Sequence, residues 1–212
     1  MTRGRARRWR SASAVALCAA LAGLGTAGAA TTTTVDPGRL PQTRAEPSTG
    51  APLTRQMTNL WRAIVRDDVN LGHAVFFPES AYVRMKTGLI PDPAGDYINR
   101  LVGFYTLDLS AYHDLVTRGG PPTLVRVAAT RAYAAWIPPG YCENRIGYWH
   151  LPGVRLVYLR AGRLYSVAAF SLISWRGVWY VVHLGPNPRP RNVGTVFGYS
   201  VGPGVPGPPG GC

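Results

Sequence analysis

Acidic side chains are almost missing from the second half of this sequence. Between Thr123 and Leu184 there is a single one, Glu143, in a stretch that reads as a loop. Proton transfer by a strand-borne Asp or Glu therefore has no candidate there. Lysine is scarcer still: of 23 basic residues only Lys86 is Lys, and the rest are Arg. The four histidines, His73, His113, His150 and His183, lie far apart, and none stands in an HExxH spacing, so no metal site is expected. Ser171 and Ser174 lack the Gly-x-Ser-x-Gly elbow of a serine hydrolase. The Gly-rich stretches lack the strand–loop–helix setting of a phosphate site, and no cofactor is expected.

Charge is also absent from Ser11 to Ala30, directly after Arg3, Arg5, Arg7, Arg8 and Arg10. With small residues at Ala27-Gly28-Ala29, this reads as a secretory signal peptide over 1–29. An uncleaved anchor is the competing reading. Against it, the run is mostly Ala, Gly, Ser and Thr, with Leu only at 17, 21 and 24. Leu17 before Cys18 argues against a lipobox, and the surroundings of Arg7-Arg8 against a twin-arginine signal. The 23 basic residues less these five leave 18 against 10 acidic, a net charge of +8 after cleavage. The remaining arginines are scattered, so nucleic acid is not an expected partner. The expected address is outside the cell or in its envelope, with no membrane contact after cleavage and weak attraction to anionic envelope components.

Two of the three cysteines, Cys142 and Cys212, lie beyond the signal and could pair in an oxidising compartment, within the chain or between chains. Residues 30–53 mix Thr, Pro and Gly without periodicity and read as a disordered linker. Thr54 is then a plausible N-cap, with Met57, Leu60, Trp61, Ile64 and Val65 on one helical face. Asp67-Asp68 ends that helix or caps a short second one, and Glu79 to Lys86 fits either a helical turn or a strand. Asp92-Pro93 starts a long helix that runs to Gly119-Gly120. Thr123 to Ile137 reads as one strand, with a short strand around Ile146 to Trp149. Val154 to Leu184 reads as a three-stranded antiparallel meander. Its turns are Ala161-Gly162 and Trp175-Arg176-Gly177, the second a three-residue loop with a Gly bulge. The last strand is apolar on both faces and reads as central. Simple alternation puts Trp179, Val181 and His183 on one face. Residues 186–212 are rich in Pro and Gly and read as a disordered tail.

The opening LWRAIVRDDVNLGHAVFFPESAY and the closing SWRGVWYVVHL resemble the first helical hairpin and last strand of the nuclear transport factor 2-like (SnoaL-like) superfamily. The resemblance covers about 54–185. It implies an α+β domain in which helices pack on a strongly bent antiparallel sheet, a cone with a central pocket. Some members are isomerases, dehydratases or cyclases, and many are binding or accessory domains. Two expectations follow. One is a non-catalytic secreted domain that binds a small apolar ligand or an envelope partner, with Trp61, Tyr82 and Trp179 as candidate lining residues. The other is an isomerase- or dehydratase-like enzyme using His183 with Asp67 or Asp68. A carboxylate within reach of His183 in an enclosed cavity would separate the second from the first.

Overall fold

The computed structural model describes residues 35–208; the expected signal peptide at 1–29 and Cys212 lie outside the described residues. The architecture is α+β, with helices in the first half and an antiparallel sheet of six strands, not closed into a barrel, in the second.

Helix α1 (Ala51–Arg66) starts three residues before Thr54, because Pro52 lies in its first turn, where its missing N–H costs nothing. Leu53, Met57, Leu60, Trp61 and Ile64 form its buried face. It stops at Asp67, whose φ of 48° is left-handed, while the next amide, Asp68 N, bonds back to Ala63 O. The Asp68 carboxylate caps α2 (Val69–His73) by accepting from the amides of Asn70 and Leu71. Glu79–Met85 forms α3, which settles the ambiguity there as helix. The long helix is continuous in backbone conformation but not uniform: α4 (Pro93–Asp96) passes into a π-helical stretch, Tyr97–Val102, and then α5 (Gly103–Thr117).

Strands β1 (Thr123–Ala128) and β2 (Ala135–Ile137) take the place of the single strand expected from Thr123 to Ile137. A 3-10 turn at Arg131–Tyr133 breaks it, and Arg131 is held there by both oxygens of Glu46 at 2.9 and 3.0 Å. Strand β3 (Tyr148–Arg160) begins six residues earlier than Val154 and pairs with β1, β2 and β4 (Arg163–Trp175). The β3–β4 turn, Ala161-Gly162, has positive φ at both residues, the pattern of a type I′ hairpin. The β4–β5 turn is also of two residues: Arg176 and Gly177 both have positive φ, and Trp175 pairs with Val178. Strand β5 (Val178–His183) is not central. It ends the main path β1-β3-β4-β5, and its outer edge is covered by Val75–Phe77 through Phe77 N to Val181 O and Val181 N to Val75 O.

The described parts of both expected disordered ends belong to the fold. Upstream, Pro37 O accepts from Trp175 Nε1 at 2.8 Å, Gln42 spans Ser174 O and Arg176 N, and Arg44 O accepts from Trp149 Nε1. Downstream, Phe197 O accepts from Ala168 N, and β6 (Ser200–Val201) pairs with β4 at Tyr165 and Ser166. Further on, Gly207 N donates to Gly153 O; a side chain at Gly153, whose φ is 59°, would collide with the Gly207 backbone. Polar composition did not leave these segments loose, because the indole N–H groups of Trp149 and Trp175 and backbone groups of the sheet needed partners that they supply.

Candidate functional site

A cavity of about 520 Å³ opens on the face of β3, β4 and β5 that carries His150, Ser171, Ile173 and His183. The register explains why His183 is there. Directly paired residues on antiparallel strands share a face. Trp179 pairs with Ser174, Tyr180 with Ile173, Val181 with Leu172, and then His183 with Ser171. One step on β4 is matched by two on β5, so Val182 is the extra residue of a bulge. The bulge re-aims His183 away from the face of Trp179 and Val181, and simple alternation fails at this point. On β3, His150 pairs with Ile173 and Pro152 with Ser171, which brings both to the same face.

Four other segments complete the walls. From α3 and its end come Tyr82, Met85 and Lys86; from the π-helical stretch come Arg100 and Leu101. The loop at 140–145 contributes Cys142, Glu143 and Asn144, and its backbone is pinned to α3 by Arg145 N to Met85 O and Thr87 N to Glu143 O. Cys142 and Glu143 both have left-handed φ in this tight loop. Cys142 is disulfide-bonded, and the other two cysteines, Cys18 and Cys212, lie outside the described residues. The C-terminal segment closes the remaining side with Asn187, Phe197 and Pro208.

The polar wall has a definite wiring. Asp96 accepts from Arg100 Nε at 2.7 Å and from the Tyr82 hydroxyl, which itself accepts from Arg100. Burial pushes Asp96 up, but the hydrogen bonds from Arg100 and Tyr82 outweigh it and hold the carboxyl below its usual range. Burial, reinforced by Asp96, pushes the Tyr82 phenol well above its ordinary value. His150 Nε2 lies 2.9 Å from Ser171 Oγ. His183 makes no hydrogen bond to a described residue, and its pKa is lowered to about 3, first by burial and then by Arg100, Lys86, Arg189 and His150. It is a neutral imidazole at pH 7. Asn144 Oδ1 is buried without a hydrogen-bond partner among the described residues.

Of the residues singled out in the sequence, His183 and Tyr82 line the cavity. Asp67 and Asp68 do not: one is the left-handed stop of α1 and the other caps α2, so neither is the carboxylate partner of His183. Trp61 and Trp179 are core residues rather than lining ones. Trp61 packs on Tyr158 with ring centroids 5.1 Å apart, and Trp179 is 2% exposed. Lys86, Arg100, His150 and Ser171 were missed. The lone lysine among arginines was a usable signal for Lys86. The His150–Ser171 contact follows only once β3 is extended back to Tyr148. Among the described residues no cluster of His, Cys, Asp or Glu is placed to hold a metal ion, and no helix is long and apolar enough to cross a membrane.

No family model, curated protein or solved structure matches the chain.

Proposed function

We propose that this is a secreted or envelope-associated, nuclear transport factor 2-like domain that holds a small, mainly apolar molecule and does no chemistry on it. The observation that carries this is the cavity of about 520 Å³. Small-molecule sites occupy roughly 300–1,000 Å³, and most of their lining is apolar with a few placed polar groups. Met85, Leu101, Phe170, Ile173, Val182 and Phe197 supply the apolar wall, and the His183 ring and Asn144 Oδ1 supply polar atoms without a hydrogen-bond partner among the described residues. Against catalysis, His183 makes no hydrogen bond or ion pair to a carboxylate among the described residues, and Asp96 is committed to Arg100. The disulfide at Cys142 supports an oxidising compartment.

The test is thermal denaturation of the purified protein with a panel of amphiphiles of six to twelve carbons, followed by recovery of each compound. Binding raises the melting temperature by mass action, the effect disappears in a Val182→Trp variant that fills the cavity, and every compound returns unchanged. Absence of any shift contradicts binding; conversion of a compound contradicts the non-catalytic reading and points to the His150–Ser171 pair.

A further inference from the structure

Among the described residues that line the cavity, Lys86 is the Lys or Arg side chain without a salt bridge to a carboxylate. Arg100 is committed to Asp96, and the nearby Arg189 to Asp108. Lys86 makes no ion pair with a described carboxylate; its Nζ rests 4.9 Å from the centroid of the Tyr82 ring. That contact offsets only part of the cost of drawing an ammonium out of water. Its position is held by the bridge between Lys86 and Asn144 and by the Thr87 N to Glu143 O bond. Glu143 acts on Lys86 through its charge without reaching ion-pair distance.

His183 lines the same cavity from β5 and also lacks a hydrogen-bond partner among described residues. The charged groups that act most on its ring are basic: Arg100, Lys86, Arg189 and His150. A neutral imidazole offers one N–H donor, and an ammonium offers three. Two donor groups in a positive field with apolar walls behind them fit one class of head group.

We propose that Lys86 and His183 form a carboxylate seat at the polar end of the cavity, so that the ligand is a small apolar acid rather than a neutral molecule. The seat rests on the binding reading above and narrows it. Lys86 gives a charge-assisted hydrogen bond to one carboxylate oxygen and His183 donates to the other. The hydrocarbon body then lies against Leu101, Ile173 and Phe197.

Octanoate, 1-octanol and octylamine share one chain and differ in head-group charge, which makes them suitable probes for calorimetric titration of the protein. Octanoate is expected to bind about tenfold or more tightly than octanol, the size of one charged hydrogen bond, and octylamine more weakly than either. Lys86→Met removes the preference for the acid while octanol binding stays as it was, and Lys86→Arg retains it. Equal affinities for octanoate and octanol overturn the seat and leave the cavity reading standing. Binding of none of the three overturns both. A preference that survives Lys86→Met, in a variant with unchanged circular dichroism, places the acid elsewhere and also overturns the seat.

Discussion

Asp108 of α5 and Arg189 of the C-terminal segment form an ion pair in which each side chain is only 2% exposed. Asp108 also accepts from the amides of Gly185 and Thr195, so one carboxylate organises the exit of the chain from β5 and its return along the sheet. Removing one partner of a buried pair strands the other without solvent. Asp108→Ala is expected to cost about 3–5 kcal/mol in chemical denaturation. Arg189→Ala should cost less, since the amides still satisfy the carboxylate. A neutral effect of Asp108→Ala would show that the segment 186–208 is not docked.

The upstream segment makes a separate prediction. Deleting 36–49 strips the indole N–H of Trp175 and the carbonyl of Ser174 of their partners. An unsatisfied buried donor costs about 1–3 kcal/mol, so the denaturation midpoint should fall measurably. An unchanged midpoint would mean that these residues are a linker after all.

Trp179 tests the strand assignment. Its side chain is buried, so Trp179→Ala should cost about 3–5 kcal/mol through the cavity it leaves. Its indole N–H has no hydrogen-bond partner among the described residues, so Trp179→Phe forfeits no bond seen there and should cost clearly less. Equal losses for the two variants would contradict that account.

The pH dependence of stability follows from His183. Below the ordinary value of 6.5 the unfolded chain binds a proton at this residue that the folded protein refuses until about pH 3. Its contribution is therefore full above 6.5 and is lost progressively as the pH falls. At pH 5 the loss amounts to about 2 kcal/mol. Denaturation curves between pH 7 and 4.5 should show this slope for the wild type and a flatter one for His183→Leu. The carboxyls of Asp36, Glu46 and Asp96, which are held below their usual values, add their own losses at more acid pH. Parallel slopes for the two proteins would show that His183 is accessible to protons.

Local signals were legible where they decide local structure. The buried face of α1, the helix start at Asp92-Pro93 and the Ala161-Gly162 turn all stand in the sequence, as does the α+β order. Two features were not, each because it depends on distant partners. The Val182 bulge is a register event between β4 and β5, and no composition rule separates it from continued alternation through Val181, Val182 and His183. The C-terminal segment reads as disordered by Pro and Gly content, yet its order comes from Asp108, Tyr112 and the edge of β4. The helix-ending and capping roles of Asp67 and Asp68 were legible as well, because local backbone geometry decides them. The missed residues Lys86, Arg100, His150 and Ser171 came from four separated segments, and of these only Lys86, by its rarity, carried a signal in one dimension.

The central claim is that the face bearing Ser171 and His183 is a ligand site, and titration of octanoate into the isotope-labelled protein, followed by nuclear magnetic resonance, tests it most directly. The account predicts saturable shift changes at Leu101, Phe170, Val182 and His183, with Trp61 in the core and Val125 on β1 unmoved. Shift changes that fail to saturate, or that gather away from these four residues, would contradict it.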